Sequence, residues 1–225
     1  MNLSRPCLRV LASRCSPVLI ALLFSAATTL PAASQSAASS ACGELRNPYG
    51  PFDYRKDKDK VAVVENSHFT PEVEALVRGV SGPIGAELNY SLRAFPNHPR
   101  ILVALTRFGE KMKNPQPEGL QFTIECYFDR ALRFVPDDTT ARLLYAQYLV
   151  KQGRNVDAAA QLEQTSRIAG DNGFTHYNIG LLYAEMKQYD QALAKAHKAR
   201  DLGFERPELK STLERAGKWQ EPPRQ

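Results

Sequence analysis

A helix ending that occurs twice is the sequence feature that most restricts the possible folds. The stretch "CYFDRALRFVPDD", Cys126 to Asp138, predicts a helix that stops at Pro136, because proline cannot continue a helix and disfavours helical geometry in the residue before it. The earlier stretch "NYSLRAFPNHP" predicts the same ending at Pro96. The separation of the two prolines equals one period of about 34 residues plus the loop insertion "NPQPEG". The chain is therefore expected to contain successive copies of one helical unit.

The clearest copy runs from Thr175 to Gly203 and predicts two helices. The first helix has an apolar face made by Ile179, Leu182, Tyr183 and Met186. The second has a face of mostly small residues made by Ala192, Leu193, Ala196 and Ala199. A shift by one such period places the preceding copy's Ala158, Leu162 and Thr165 on Ala192, Ala196 and Ala199. Small residues let two helices approach closely, so each copy is expected to be an antiparallel hairpin.

A helix–turn–helix period of about 34 residues is the spacing of the tetratricopeptide repeat. The segment "NIGLLYAEMKQYDQALAKAHKA" resembles that family's pattern of Leu-Gly, Tyr, turn, Tyr, Ala and Ala, and "RALRFVPDD" is similar to its Ala-Leu and terminal Pro. The chain from "YGPFDYR" through "AFPNHPR" to the final helix also resembles a group of small exported bacterial tetratricopeptide proteins, a likeness that points to no particular activity. The resemblance implies an all-α fold, a right-handed α-solenoid of three to four helical hairpins with a C-terminal capping helix.

The first residues predict a secretory signal peptide. Arg5, Arg9 and Arg14 precede the apolar run "PVLIALLFSAATTL", which small residues follow, and this order is typical of such signals. The apolar run is shorter than the roughly 20 residues that a membrane-spanning helix needs. Cleavage near residues 34–38 is therefore expected, with export to the periplasm or the cell exterior and no transmembrane segment in the mature chain.

The net charge argues against nucleic acid as a partner. The formal charge is +5, and loss of the three signal-peptide arginines would lower it to +2. So small a charge, spread evenly along the chain, is too weak for a phosphate-binding surface.

The cysteines predict one disulfide in the exported chain. Cys7 and Cys15 would leave with the signal peptide, and Cys42 and Cys126 would remain. Two cysteines in an oxidising compartment favour a bond between them, and two unpaired thiols are the alternative. A third interpretation makes Cys42 a lipid-modified N-terminus, since "SSAC" loosely resembles a lipobox, although Ser39 stands where that motif has leucine.

The expected domain boundaries follow from these features. They are a signal peptide over 1–34, an extended N-terminal segment over 35–69, repeats over 70–206, a capping helix over 207–219 and a disordered tail over 220–225. Thr70 and Pro71 mark the start of the first hairpin as cap and first helical residue. Whether that short first copy is a true repeat stays open. In the capping helix, Leu209 and Leu213 are expected to face inward.

The N-terminal segment is expected to be an extended cover. Proline and glycine in "NPYGPF" forbid a helix there, and "RKDKDK" alternates in charge like a solvated turn. The aromatic residues Tyr49, Phe52, Tyr54 and Phe69 are costly to expose, so we expect them to pack on the first helices. The alternative is that the segment lies in the groove between the hairpins and competes with a ligand.

No residue pattern predicts catalysis. The four histidines, His68, His98, His176 and His197, are widely spaced and form no metal or nucleophile motif. His176 is expected to be a packing residue, and Asp137 and Asp138 are expected to cap the next helix. We therefore expect no enzyme activity, no catalytic residue, no metal and no cofactor.

The resemblance implies that the first helix of each hairpin lines a concave groove that takes a segment of a partner protein. The corresponding residues are Arg100, Val103, Arg107, Leu143, Gln147, Lys151, Tyr177, Asn178, Leu181 and Glu185. The amide of Asn178 is expected to pair with the backbone of a ligand. Arg100, Arg107 and Lys151 would make the groove mildly basic, which favours an acidic segment or a C-terminal carboxylate.

A second function stays open from the sequence alone. The chain could be a structural subunit of a cell-envelope complex that binds through its convex face or by self-association. Exposed apolar patches on the second helices of the hairpins would support that function. The identity of a partner and the oligomeric state are not determined by the sequence.

Overall fold

The computed structural model describes residues 41–221, and this part of the chain contains ten helices and no strand. The prediction of an all-α fold is confirmed. The helices are α1 (Lys58–Ser67), α2 (Pro71–Glu74), α3 (Ile84–Ala94), α4 (Pro99–Met112), α5 (Ile124–Phe134), α6 (Thr139–Lys151), α7 (Asn155–Ala169), α8 (Gly173–Glu185), α9 (Tyr189–Asp201) and α10 (Pro207–Arg215). None of these ten helices has the length and apolar character needed to cross a membrane. The expected signal peptide over 1–34 lies outside the described residues.

The two repeated helix endings have the same backbone geometry. Phe95, after α3, has φ −128° and ψ 80°, and Val135, after α5, has φ −131° and ψ 81°. Each residue precedes a proline, which moves it out of the helical region. The helices that follow are capped at equivalent positions, since the side chains of His98 and Asp138 accept hydrogen bonds from the backbone of α4 and α6.

The buried apolar residues form two clusters along the chain. The N-terminal cluster extends from Val61 to Ala141, and the C-terminal cluster extends from Ala146 to Leu213. Helices pack mainly on the next one or two helices in sequence, and the most extensive packing is between α6 and α7 and between α8 and α9. Leu209 and Leu213 of α10 are buried in the C-terminal cluster, as expected for a capping helix, although α10 ends at Arg215 and is shorter than 207–219.

The N-terminal segment is not wholly extended, because residues 58–67 form α1. The charge alternation in "RKDKDK" suggested a solvated turn, but Val61 and Val64 follow at helical spacing and both are buried. Their burial against the core outweighs the weak local preference of the charged residues. The rest of the expectation holds: Tyr49, Phe52 and Tyr54 pack on the N-terminal cluster.

The first hairpin is irregular. Thr70 and Pro71 begin α2 as cap and first residue, but the helix has only four residues. The inserted loop "NPQPEG", residues 114–119, packs against the start of α3. At Gly119, φ is +86° and an added Cβ would lie 2.5 Å from the Ala86 nitrogen. Glycine is therefore required where the insertion meets α3.

Candidate functional site

A large hollow of about 370 Å³ lies between α6 and α8. It is lined by Thr140, Leu143, Leu144, Gln147, Phe174, Asn178, Leu181, Leu182 and Glu185. On each helix the lining positions recur every three or four residues, which places them on one face. Most of the lining is aliphatic or aromatic, so the hollow suits an apolar side chain.

A small hollow of about 210 Å³ lies between α4 and α6. It is lined by Glu74, Pro99, Arg100, Val103, Ala104, Arg107, Thr140 and Leu144. Thr140 and Leu144 line both hollows. The exposed faces of α4, α6 and α8 at these two hollows therefore form one continuous surface, named here the groove face.

The structure brings eight of the ten sequence-predicted groove residues to the groove face. Arg100, Val103 and Arg107 line the small hollow. The large hollow is lined by Leu143, Gln147, Asn178, Leu181 and Glu185. These residues belong to three different helices, and the two adjoining hollows bring them to one surface.

Tyr177 and Lys151 do not line either hollow. Tyr177 is only 8% exposed, and its hydroxyl donates a hydrogen bond to Glu208 of α10 at 2.8 Å. One residue step rotates a helix by about 100°, so Tyr177 points away from the direction of Asn178. Lys151 lies at the end of α6, and its Nζ bonds to Glu110 of α4 at 2.8 Å.

Sequence reasoning missed several lining residues, of which Phe174 is the most prominent. Its side chain is 57% exposed at the large hollow, although a phenylalanine is costly to leave in water. It lies four residues before Asn178, so the same helical spacing could have identified it. The groove positions implied by the repeat pattern form a single row along each helix, whereas the face of a helix is wider than one row. Thr140, Leu144 and Leu182 lie outside that row and were therefore missed.

The charges of the groove face are largely paired within the protein. Arg100 Nε donates to Glu74 at 2.9 Å, and Arg100 Nη1 donates to Glu65 at 2.9 Å. The hydrogen bond from Arg100 lowers the pKa of Glu74 below its usual value. Because Lys151 is also paired, two of the three cations expected to make the groove basic are neutralised.

Arg107 is the exception among these cations. It is exposed at the small hollow and makes no ion pair within residues 41–221, although it lies close enough to Glu74 to lower that pKa further. A guanidinium in this position can donate two parallel hydrogen bonds to an incoming carboxylate. The small hollow is therefore the part of the groove face best suited to an acidic group.

Asn178 retains part of its hydrogen-bonding capacity. Its Nδ2 donates to the Phe174 carbonyl oxygen at 2.8 Å in the preceding turn of α8. An amide side chain has two N–H donors and a carbonyl acceptor, so one donor and Oδ1 are left over from this bond. Asn178 can therefore pair with an extended backbone at the large hollow.

The N-terminal cover does not occupy the groove face. Within residues 42–57, Phe52 bonds to the Ala94 carbonyl oxygen at the end of α3, and Tyr54 bonds to Asn97 in the turn after it. No residue of 42–57 lines either hollow. Of the two interpretations of this segment, the structure thus supports a cover and not a competitor in the groove.

Two of the histidines, His98 and His176, are buried and hydrogen-bonded within the protein. His98 is fully buried, its Nδ1 accepts from the Ile101 backbone and its Nε2 lies 3.1 Å from Glu65. Burial lowers the pKa of His98 to about 4, so it is neutral at pH 7. His176 is buried and bonds to the Gly170 carbonyl oxygen, in agreement with its expected packing role. Residues 41–221 hold no group of three or more side chains placed to bind a metal ion.

Comparison with known proteins gives no match: no protein family, no curated protein and no solved structure is significantly similar to this chain. Function is therefore inferred from the geometry of the groove face.

Proposed function

We propose that this protein is an exported, non-catalytic interaction module that binds a segment of a partner protein on the groove face. The observation that carries the proposal is the continuity of the two hollows. They join the first helices of three successive hairpins, share Thr140 and Leu144, and expose an apolar lining. A surface of this kind suits a peptide segment longer than a single residue, since each hollow can take a different side chain.

We also propose that the helices form a solenoid of tetratricopeptide type. The starts of α6 and α8, at Thr139 and Gly173, lie one period of about 34 residues apart. The starts of α7 and α9 have the same spacing, and between α4 and α6 the spacing is longer by the length of the insertion "NPQPEG". Residues one period apart also match in conformation: Gly153 and Lys187 both have positive φ, of 72° and 61°. These equivalences support a repeated hairpin.

The proposed ligand carries an apolar side chain and an acidic group. The apolar side chain fills the large hollow beside Phe174, where burial of apolar surface contributes about 25 cal/mol per Å². The acidic group, a side chain or a C-terminal carboxylate, pairs with Arg107 in the small hollow. Asn178 then holds the backbone of the ligand between these contacts.

The alternative, a structural subunit that binds through its convex face, has less support. Of the large apolar side chains exposed within residues 41–221, only Tyr90 and Val156 belong to the second helices α3, α5, α7 and α9. They lie on different helices, and two isolated residues do not make a docking patch. No observation favours self-association over binding on the groove face.

Export is proposed from the signal-like N-terminus together with the cysteine pair. The sulfurs of Cys42 and Cys126 lie 2.08 Å apart, at disulfide distance. Such bonds persist in oxidising compartments such as the periplasm. Lipid attachment at Cys42 would require the same sulfur, so a bonded Cys42 cannot carry a lipid anchor.

The proposal is tested by selecting peptides on the purified protein. A phage-displayed library of random peptides is panned against the wild type, and the affinity of an enriched peptide is measured by fluorescence anisotropy. Phe174→Asp should weaken binding at least tenfold, because it places a charge at the apolar hollow. Arg107→Glu should weaken binding of peptides that contain an acidic residue by a similar factor.

Two matched variants control for general effects of the substitutions. Val156→Asp changes an apolar side chain that is 84% exposed on α7, and Lys218→Glu reverses an exposed cation that makes no ion pair within residues 41–221. Both should bind the peptide like the wild type. If Val156→Asp weakens binding as much as Phe174→Asp does, the interface lies on the convex face and the groove proposal fails. It fails equally if no peptide is enriched.

A further inference from the structure

The N-terminal cover consists of two parts that are held in different ways. Residues 49–57, named here the anchor, run from Tyr49 to Asp57. Residues 42–48, named here the strap, run from Cys42 to Pro48 and cross α5. The sulfur of Cys42 is bonded to Cys126 of α5, so the strap is covalently tied at its start and continuous with the anchor at its end.

The anchor is held by buried contacts that do not involve a cysteine. The Phe52 ring lies 5.4 Å from the Phe95 ring and 5.0 Å from the Tyr49 ring. The backbone N–H of Phe52 donates to Ala94 at 2.8 Å, and Asn97 donates to the buried carboxylate of Asp53 at 2.7 Å. Apolar burial and paired backbone groups together keep the anchor in place.

Apart from the disulfide and the close approach of Gly43 to the Phe122 ring, the contacts of the strap are polar. Arg130 Nη1 donates to the carbonyl oxygens of Cys42 and Glu44, at 3.1 and 2.6 Å, and Arg133 Nη2 donates to that of Gly43 at 3.0 Å. Arg93 Nη2 donates to Asn47 Oδ1 at 2.9 Å. No residue from 43 to 48 is buried, and none belongs to either apolar cluster. Without the bond to Cys126, the strap would be held by these arginine hydrogen bonds and by the contact of Gly43 with the Phe122 ring.

Two of those four hydrogen bonds come from the guanidinium of Arg130, which is unfavourably placed. Arg130 is 1% exposed and makes no ion pair within residues 41–221, and its Nε has no hydrogen-bond partner there. The face of Phe122 lies 4.9 Å away, and burial lowers the pKa of Arg130 below its usual value. The carboxylate of Asp129 is bonded to Arg133 at 2.7 Å. A charged group buried without a counterion is better solvated by water than by two carbonyl oxygens.

We propose that the strap is a redox-sensitive element that detaches from α5 when the Cys42–Cys126 bond is reduced, while the anchor stays docked. Release would hydrate Arg130 and expose Arg133 and the Phe122 ring, so that a cationic and aromatic surface replaces the strap. The bond therefore does more than add stability, because it determines whether this surface is covered.

The reaction is a thiol–disulfide exchange with an external dithiol. A thiolate of the dithiol attacks the sulfur of Cys126, a partly exposed residue, and the Cys42 sulfur leaves as a thiolate and takes up a proton. The second thiol of the dithiol then attacks the mixed disulfide and releases Cys126, which is likewise protonated. Two electrons pass to the protein, the dithiol becomes a disulfide, and both cysteines end as thiols.

Backbone 15N relaxation tests this inference on the purified protein, with and without dithiothreitol. In the oxidised protein the order parameters of Glu44 and Arg46 should be near 0.85, the value of a rigid backbone, and on reduction they should fall below about 0.6. Those of Tyr54 and Lys56 in the anchor should not change. Cys126→Ser should give the reduced pattern without any reductant, which separates the loss of the bond from other effects of the dithiol.

Two outcomes would overturn the proposal. If Glu44 and Arg46 stay rigid in both the reduced protein and Cys126→Ser, the arginine contacts suffice to hold the strap. If Tyr54 and Lys56 become mobile together with the strap, the bond supports the whole cover and there is no separate redox-sensitive element.

Discussion

The two halves of the molecule fill their interiors with different kinds of residue. The half from α6 to α10 buries few polar side chains, namely Thr165, Thr175 and His176. The half before α6 includes Asp138, the cap residue of that helix. Its buried polar side chains are Asp53, Glu87, Ser91, Asn97, His98, Arg130 and Asp138. The first half is also where the helices are irregular, since α2 has four residues and the insertion follows α4.

The difference follows from the need to satisfy backbone hydrogen bonds. A regular helix pairs its own N–H groups, but loops that pack on a core need side-chain partners. In the first half, Asn97 Oδ1 accepts from the Tyr54 backbone, and Glu87 accepts from the backbone of Val80 and Ser81. Because α2 is short, loops instead of a longer helix cover part of the helix surface in the first half. The side chains that satisfy the backbone of these loops are polar and buried.

The largest expected effect comes from removing the amide at the centre of the polar network. Asn97 Nδ2 donates to the carboxylates of Asp53 and Asp138, at 2.7 and 2.8 Å. Burial alone would raise the pKa of Asp53, but hydrogen bonds from Arg55 and Asn97 lower it to about 2. Asn97→Leu should therefore reduce the free energy of unfolding by roughly 4 kcal/mol in urea denaturation, because it removes one donor from each of two buried carboxylates and the acceptor of the Tyr54 N–H.

A matched substitution in the second half sharpens the contrast. Thr165 is equally buried, but its hydroxyl bonds to the Gln161 carbonyl oxygen within its own helix. Thr165→Val should cost about 1 kcal/mol or less. Equal losses for the two variants would show that the polar network does not distinguish the two halves.

The next largest effect is a dependence of stability on pH that originates in the first half. Burial lowers the pKa of His98 to about 4, although the hydrogen bond to Glu65 opposes this. The unfolded chain has a histidine pKa near 6.5 and so binds the proton first as the pH falls. The contribution of neutral His98 is complete above pH 6.5 and decreases toward pH 4, by about 3 kcal/mol in total.

Denaturation curves between pH 7 and pH 4 measure this effect. Glu65, Glu74, Arg100, Lys58 and Tyr54 are neighbours of His98 that carry or can carry charge, and carboxylates ordinarily titrate below pH 5. His98→Asn keeps a cap acceptor but does not titrate, so it should flatten the curve between pH 6.5 and pH 5. A wild-type stability that is constant over that range would contradict the buried, neutral state of His98.

The smallest expected effect concerns the turns of the two regular hairpins. Gly153 and Lys187 occupy equivalent positions with φ of 72° and 61°. A left-handed conformation costs a side-chain-bearing residue roughly 1 kcal/mol. Lys187→Gly should therefore stabilise the protein slightly and Gly153→Ala should destabilise it by about 1 kcal/mol, both measured by thermal unfolding. If Lys187→Gly destabilises the protein, or if Gly153→Ala stabilises it, the two turns are not equivalent.

Several helix boundaries were accessible from the sequence because their determinants are local. The helix-terminating prolines and the cap at Asp138 act through residues close in the chain. Transfer by position also placed eight of the ten predicted residues on the groove face. It failed at Tyr177, because α10 packs there and takes up its hydroxyl through Glu208.

By itself the sequence determined the all-α class and the repeated helix endings, and it favoured the pairing of Cys42 with Cys126 and the packing of the aromatic cover. These depend on spacing, on backbone restrictions at proline and on the cost of exposing aromatic rings. Only the tertiary structure decided that residues 58–67 are helical, that the cover lies away from the groove face and that Arg100 and Lys151 are already paired. Those outcomes depend on contacts between residues distant in the chain, whose energies outweigh local preference and cannot be read from spacing.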